Sequence, residues 1–180
     1  MVKRRIMRKI FTTPLDQVCG KGKITDPTHY IYFQGEFLYV MNGNVAIKQN
    51  LSLYGFSDKE MRSFDGNCIH KDVFKMIKKR DVEVYLGYIK SYVTGSQQLS
   101  INLMMTEFAD NNKRVIKQID KSFETFNMEK TDEIAINPDY IALVRKAFVT
   151  DSSGLTFRFN SKTGGVLVTP NKNNYKEHAI

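Results

Sequence analysis

The residues of this chain with the most evident chemical role are clustered cations in the segment 71–80, KDVFKMIKKR. Lysine and arginine neutralise the phosphates of nucleic acids through charge alone, without reading base sequence. Only one acid, Asp72, stands among five cations, which is fewer acids than a neutral solvent-facing helix needs. The segment therefore predicts a phosphate contact, and the alternative is a surface helix whose lysine stems cover the core. The candidate residues are Lys71, Lys75, Lys78, Lys79 and Arg80.

Two further groups of cations extend this interpretation. Arg145 and Lys146 end a second apolar segment, DYIALVRK, and are candidates for the same kind of contact. The N-terminal segment 1–27 opens with MVKRRIMRKIF, which has no acid and has apolar residues at helical spacing. This segment predicts a short basic amphipathic helix, with a solvated basic tail as the alternative. Its candidate DNA contacts are Arg4, Arg5 and Arg8.

The charge of the whole chain agrees with a polyanionic partner. The 180 residues include 27 Lys and Arg against 19 Asp and Glu, a formal net charge of +8. A basic balance of this size favours nucleic acid over an acidic partner. The alternative is a basic protein whose charge only confers solubility.

Residue types that carry out catalysis or hold metals form no recognisable pattern. His29, His70 and His178 are scattered, and Cys68 with His70 gives two possible ligands where zinc normally takes four. The sequence contains no phosphate loop, no GxSxG and no HExxH. We therefore predict a non-catalytic protein with no cofactor and no metal.

Cysteine usage and hydropathy indicate a cytoplasmic location. The two cysteines, Cys19 and Cys68, do not make a disulfide framework in a chain of this length and suit a reducing compartment. The positive N-terminus lacks the apolar run of an export signal. No window approaches the roughly 18 apolar residues of a membrane span, so no membrane partner is expected.

Alternating and aromatic-rich segments predict a largely antiparallel sheet. HYIYFQ, GEFLYVMNGN and VAIKQNLSLYGF are predicted strands, and the Asn42-Gly43 pair favours a type I′ hairpin turn. VEVYLGYIKSYVTGSQQLSINLMM, EIAI, GLTFRFN, GGVLVTP and a short run near HAI are further strands. The segments SDKEMRSFDGN and ADNNKRVIKQIDKSFETFNMEKTD are interpreted as polar connections.

Two short helices are expected to pack on the sheet. CIHKDVFKMIKKR predicts a helix of about three turns. NPDYIALVRKAF predicts a second, with Asn137 as its N-cap and Pro138 as its first residue. Asp72–Lys79 and Asp139–Lys146 also share one order: an acid, two apolar residues, a variable one, two apolar residues and two cations. Thr94-Gly95 and Thr163-Gly164 mark a hairpin turn after each copy, which predicts two related helix–hairpin units.

The segment EIAINPDYIALVRKAFVTDSSGLTFRFNSKTGGVLVTPNKNNYKEHAI resembles the end of a bacterial sliding clamp, the processivity subunit of replicative DNA polymerase. The shared order is a strand, a short helix that begins at an asparagine and is led by a tyrosine, a strand with a small turn, an apolar strand that ends in proline, and a closing strand. The block from Phe64 to Met105 is similar to the helix-plus-hairpin half of a clamp domain. The resemblance is specific over about the last third of the chain.

The resemblance implies a fold, a partner and an assembly. Clamp helices line a central hole and contact the DNA backbone, which assigns that role to the cations named above. The bacterial clamp chain has three domains and closes a ring as a dimer, so this shorter chain would need several copies. The sequence stops at Ile180, where the family continues into a Met-Pro-rich tail that helps to form a peptide groove, so that groove is not implied here.

We therefore predict an α+β protein of DNA-clamp type, with an antiparallel sheet and short helices on one face. The expected organisation is a basic segment 1–27 and a clamp-like domain 28–180 with halves near 28–110 and 130–180. The predicted function is non-catalytic binding of double-stranded DNA as a homo-oligomeric processivity or tethering factor for a polymerase or another replication or repair protein. The alternative is a clamp-fold scaffold for protein–protein interaction, of phage or mobile-element origin, that does not encircle DNA.

Overall fold

The structure is a computed structural model that describes residues 10–21, 26–93, 99–124, 135–150, 154–159, 165–171 and 176–180. Its centre is an eight-stranded antiparallel sheet. The strands are β1 (Tyr30–Gln34), β2 (Phe37–Met41), β3 (Ala46–Asn50), β4 (Asn67–His70), β8 (Thr106–Glu107), β9 (Leu155–Phe159), β10 (Val166–Pro170) and β11 (Glu177–Ala179). They lie in the order β8-β4-β1-β2-β3-β11-β10-β9. The predicted α+β class with antiparallel sheet is confirmed.

A second sheet is formed by the strands between β4 and β8. It consists of β5 (Val82–Tyr85), β6 (Tyr88–Tyr92) and β7 (Ser100–Met104), all antiparallel, with β6 in the middle. Val84 and Leu103 of this small sheet pack against the buried residues that also cover one face of the large sheet. The two sheets therefore share one core.

Four helices accompany the sheets in the described part of the chain. They are α1 (Asp58–Phe64), α2 (Lys71–Ile77), α3 (Asp110–Glu124) and α4 (Pro138–Ala147). Short 3-10 turns lie at Leu15–Gln17, Pro27–His29 and Leu51–Tyr54. None of the helices in the described ranges is both long and apolar enough to cross a membrane.

The main core lies on one face of the large sheet. Alternate residues of β1 and β2, such as Ile31, Phe33 and Leu38, point to this face because successive strand residues alternate sides. Phe74 of α2 and Val144 of α4 are buried in the same cluster. Both helices with basic ends therefore cover one face of a continuous sheet, as predicted.

The opposite face of the sheet is covered by α3, which the sequence interpretation missed. Tyr32, Tyr39 and Cys68 point to this face and pack against Ile116 of α3. The segment was interpreted as a polar connection because charged residues dominate it. Val115, Ile116, Ile119 and Phe123 nevertheless recur at helical spacing. The expectation that helices lie on one face only is corrected accordingly.

Three further element assignments differ from the expectation. SDKEMRSF forms α1 rather than a connection, because the Ser57 N–H donates to the Glu60 carboxylate (2.9 Å) in a capping arrangement. The helix predicted from Cys68 is shorter, since residues 67–70 form β4 and α2 begins at Lys71. The predicted strand EIAI covers residues 133–136, of which 133–134 lie outside the described ranges. Residues 135 and 136 are described and are not in a strand, and neither is Asn137.

The Asn-Gly hairpin forms, but with a different turn. Met41 and Ala46 are paired in the ladder of β2 and β3, so the predicted hairpin is confirmed. Neither Asn42 nor Gly43 has the positive φ of a type I′ turn. Instead, the Asn42 Oδ1 atom accepts hydrogen bonds from the N–H groups of Asn44 (2.8 Å) and Val45 (2.9 Å). The side chain of Asn42 thus stabilises the turn by accepting hydrogen bonds from the backbone that follows it.

Each of the two predicted helix–hairpin units contains its helix, but the strands that follow the helix belong to different sheets. After α2 the chain enters β5 and β6 of the small sheet, whereas after α4 it enters β9 and β10 of the large sheet. β4 immediately precedes α2, and no strand is present in the described residues 135–137 before α4. The Thr94-Gly95 and Thr163-Gly164 turns lie outside the described ranges.

Residues 10–21, in the predicted N-terminal segment, belong to the core. Phe11, Leu15 and Val18 are fully buried in the main cluster. The Phe11 ring lies between the rings of Tyr54 and Phe74, with centroid distances of 5.1 and 5.3 Å. This part of the chain therefore packs with the domain.

A buried polar network fixes the carboxyl end of α4 to the sheet. The carboxylate of Glu177 on β11 is fully buried and accepts hydrogen bonds from the N–H groups of Val149 (2.8 Å) and Thr150 (2.7 Å). The Gln49 amide donates to the same carboxylate (2.8 Å) and to the Ala147 carbonyl (2.8 Å). Three of these contacts join α4 or the residues after it to β3 or β11, and the Gln49–Glu177 bond joins the two strands to each other.

The predicted start of α4 is confirmed and carries a stability prediction. The Asn137 Oδ1 atom accepts a hydrogen bond from the Asp139 N–H (2.9 Å), and Pro138 is the first helical residue. Asn137→Ala removes this cap, so we expect a loss of about 1 kcal/mol in the free energy of unfolding. Asn137→Asp keeps the acceptor and is expected to retain the stability. Urea denaturation of both variants checks this, and equal stability of the alanine variant would contradict it.

Candidate nucleic-acid interface

The orientation of α2 is set by its two ends and its buried side. β4 runs directly into the helix, and the His70 Nδ1 atom accepts a hydrogen bond from the Asp72 N–H (3.3 Å) at the first turn. Phe74 and Ile77 are fully buried. Because these residues occupy the inner side, Lys75 lies on the outer side and is exposed.

Two of the predicted contact residues, Lys71 at the start of α2 and Lys78 directly after its end, are bonded to other parts of the protein. The Lys78 ammonium group donates to both carboxylate oxygens of Asp16, at 2.8 and 2.9 Å. The Asp16 side chain is 5% exposed and that of Lys78 is 22% exposed. The Lys71 ammonium group donates to the Gly20 carbonyl (2.7 Å). Both lysines therefore fasten the segment around residues 15–20 to the helix, and neither presents an unbonded ammonium group.

The Lys78–Asp16 pair gives a second stability prediction. Lys78→Ala leaves a buried carboxylate without its partner, so we expect the free energy of unfolding to fall by about 1–3 kcal/mol. Lys75→Ala removes an exposed lysine of the same helix and is the matched control, expected to change stability little. Thermal denaturation distinguishes the two variants. Equal melting temperatures for both would show that the buried pair contributes nothing.

Lys75 is available to an external partner. Its ammonium group pairs with Asp72 at 2.8 Å, and both side chains are more than half exposed. Their hydrogen bond lowers the pKa of Asp72 and raises that of Lys75, so both groups are charged at neutral pH. Exposed pairs of this kind are weak. A phosphate group can therefore compete with Asp72 for the lysine.

The residues after α2 turn sharply and expose another cation. Lys79 has a left-handed backbone (φ 62°), and its N–H donates to the Phe11 carbonyl (2.9 Å). Its side chain is exposed, while Arg80 is half-buried. The backbone contact with Phe11 fixes where the Lys79 side chain leaves the surface.

α4 presents its cations on the same side of the sheet as α2. Val144 and Ala147 are buried in the main core, which leaves Lys146 exposed and Arg145 half-buried. Cations in the last turn of a helix also complement the helix dipole, which is the alternative role for this pair. We define the α2–α4 surface as the following five cations. They are Lys75, Lys79, Arg80, Arg145 and Lys146.

The N-terminal candidates Arg4, Arg5 and Arg8 lie outside the described residues.

A second basic surface lies on α3 and was missed at the level of sequence. Lys113, Arg114, Lys117 and Lys121 are exposed along this helix. The cations 113, 117 and 121 recur every four residues, which places them on one side of a helix and could have revealed it. Lys113 pairs with Asp110 at 3.4 Å. Because α3 covers the other face of the sheet, its cations and the α2–α4 surface lie on opposite sides of the molecule.

The cysteine and histidine residues near β4 show no activated nucleophile. Burial raises the pKa of the Cys68 thiol to about 11 and that of the Cys19 thiol to about 12. Both thiols are therefore protonated at neutral pH, and the thiolate is the reactive form. The His70 Nδ1 atom is occupied by the helix cap. The described residues contain no group of three or more His, Cys, Asp or Glu side chains placed to hold a metal ion.

No family model matches the chain, and neither the curated proteins nor the solved structures include a match. The geometry and charge described above therefore carry the interpretation of the α2–α4 surface, together with the resemblance in sequence.

Proposed function

We propose that this chain is a non-catalytic DNA-binding protein of sliding-clamp type, which holds double-stranded DNA through its phosphates and tethers a replication or repair factor. The resemblance of residues 133–180 to the end of a bacterial clamp is one support. The other support is the net charge of +8, which attracts a polyanion.

The observation that carries the proposal is the position of α2 and α4. Both helices pack on one face of a continuous antiparallel sheet, and exposed cations stand at or just after the carboxyl end of each. A sheet backed by buried aromatic and aliphatic residues holds these helices rigidly. Helices that offer lysine and arginine to phosphates suit binding that is independent of sequence, because phosphate contacts carry no base information.

The proposal assigns different roles to the predicted cations. Lys75, Lys79 and Lys146 are exposed and contact phosphates, with Arg80 and Arg145 at their margins. Lys71 and Lys78 position the helix through their contacts with the Gly20 carbonyl and Asp16. Lys78 has a structural role because its pair with the buried Asp16 carboxylate is costly to break, and Lys71 has one because its ammonium group is bonded to the Gly20 carbonyl.

The sliding form of the proposal requires more than one copy of the chain. One domain of this size cannot surround a duplex, so copies must associate, and unpaired strand edges are the natural place for that. A polymerase or another replication protein would then be held near the DNA by the assembled clamp.

A salt-titrated binding assay tests the proposal. Fluorescence anisotropy is measured with two labelled duplexes of unrelated sequence at several salt concentrations. We expect equal affinity for both duplexes and a steep linear fall of log affinity with log salt, with a slope of about −0.9 for each phosphate contacted. The absence of binding even at low salt would overturn the proposal and favour the scaffold for protein–protein interaction.

A further inference from the structure

The outer edge of β7 is the least protected strand edge in the described part of the molecule. The sequence of β7, SINLM, contains no charge and no proline, and its pairing with β6 is continuous. The other unpaired edges differ, since β5 contains Glu83, β9 contains Arg158 and β8 has two residues. A regular edge without charge, proline or bulge is prone to pair with another chain.

Exposed apolar side chains surround this edge. Leu99 is 63% exposed, Ile101 36% and Met104 72%. Leu86, in the turn between β5 and β6, is 85% exposed. The Met105 N–H donates to the Gly87 carbonyl (2.9 Å), so this turn lies beside the end of β7. Apolar residues grouped next to unpaired backbone are typical of an interface rather than of a solvated surface.

The hydrogen bonds at the two ends of β7 define which residues face outward. The Val93 N–H donates to the Leu99 carbonyl (2.8 Å), and the Met105 N–H bonds Gly87. Bonded and non-bonded pairs alternate along an antiparallel ladder. Ile101 and Leu103 therefore direct their peptide groups to β6. The residues that direct N–H and C=O groups to the free edge are Ser100, Asn102 and Met104.

We infer that β7 pairs with β7 of a second copy of this chain, antiparallel, about a two-fold axis at Asn102. This register places Asn102 opposite Asn102 of the second copy and Ser100 opposite Met104. Ser100, Asn102 and Met104, whose backbone groups point to the free edge, then each form both of their backbone hydrogen bonds with the opposite residue of the second copy. The two small sheets become one six-stranded sheet across the dimer.

A second copy fits this edge because the strand is complementary to itself. In the Asn102-centred register Ile101 lies opposite Leu103, so apolar side chains meet on the side that faces the core. No charge repels its own copy across the axis, because β7 has none. The two-fold axis also places the exposed Met104 opposite Ser100 of the second copy, on the face of the sheet away from Ile101 and Leu103.

The inference rests on the proposed function in one respect. A sliding clamp requires several copies of this chain, which makes a second copy the expected partner of β7. Dimerisation is measured without DNA, and DNA binding can be measured on a monomeric variant. Loss of DNA binding with a retained dimer would therefore count against the proposed function alone.

The first test measures mass in solution. Sedimentation of the purified chain over about 1 to 100 µM is expected to show a concentration-dependent dimer. Ile101→Lys places charge at the interface, so the dissociation constant should rise about tenfold or more. Gln34→Lys makes the same charge change at an exposed end of β1 and should leave the dimer intact. Circular dichroism verifies that both variants are folded. A monomer throughout, or a dimer unaffected by Ile101→Lys, would overturn the inference.

The second test measures the register by disulfide formation. Residues paired with exchanged hydrogen bonds have Cα atoms about 5.5 Å apart, which a disulfide can span. Asn102→Cys should therefore yield covalent dimers on oxidation, whereas Ser100→Cys alone should not. The double variant Ser100→Cys/Met104→Cys should link again. Cys19 and Cys68 are buried and do not compete. Linking through Ser100→Cys alone, without Asn102→Cys, would contradict the proposed axis.

Discussion

Replacing Glu177 with alanine is expected to lower the free energy of unfolding by about 3–5 kcal/mol. Its fully buried carboxylate accepts hydrogen bonds from the backbone N–H groups of the half-buried Val149 and Thr150 and from the fully buried Gln49 amide. Alanine leaves these three donors without their acceptor, and a buried donor such as the Gln49 amide costs about 1–3 kcal/mol when it is unsatisfied. For a chain of this length the change corresponds to a fall in melting temperature of roughly 10 °C.

Two control variants distinguish the effect of losing the buried hydrogen bonds from the effect of removing a carboxylate in general. Glu177→Gln keeps one acceptor oxygen and the shape of the side chain, so we expect a loss of about half that size. Glu107→Ala removes an exposed carboxylate at the edge strand β8 and should stay within about 0.5 kcal/mol of the parent. Denaturation of the three variants in urea measures these differences. If Glu177→Ala and Glu107→Ala have equal effects, the buried network does not hold α4 to the sheet.

Reversing the exposed charges of the α2–α4 surface is expected to weaken DNA binding strongly. The variant Lys75→Glu/Lys79→Glu/Lys146→Glu replaces the three proposed phosphate contacts with repulsions. We expect affinity to fall on the order of 100-fold near 0.1 M salt and the slope of log affinity against log salt to become shallower by about 3. Both quantities come from one anisotropy titration.

The surface of α3 provides a matched control for this experiment. Lys113→Glu/Arg114→Glu/Lys117→Glu produces the same change in net charge on the opposite face of the sheet. If DNA contacts the α2–α4 surface, the α3 variant should keep most of its affinity and its salt slope. A larger loss in the α3 variant would transfer the DNA site to α3.

Local patterns in the sequence were sufficient to predict much of the sheet and the shorter helices. Alternation in residues 30–41 and the Asn137-Pro138 start of α4 are local features, and both are confirmed. α3 was missed because its four apolar residues are diluted by charged ones. α1 was missed although Ser57 and Glu60 have the spacing of a capping box.

The candidate site was less predictable because its main constraints are distant in the sequence. Lys78 looked like its neighbours, and only the fold shows that Asp16, 62 residues away, binds it. Gln49 and Glu177 are separated by 128 residues, so no local pattern links them. The sequence located the cations, while tertiary contacts decided which of them remain available to a partner.

Lysine acetylation in the presence and absence of a duplex is the most direct test of the claim that the α2–α4 surface binds DNA. A lysine covered by phosphate reacts slowly with an acetylating reagent, and mass spectrometry reports the rate for each residue. We predict that DNA protects Lys75, Lys79 and Lys146 and leaves Lys113 and Lys117 unchanged. Protection confined to α3, or no protection anywhere under conditions in which DNA is bound, would contradict the account.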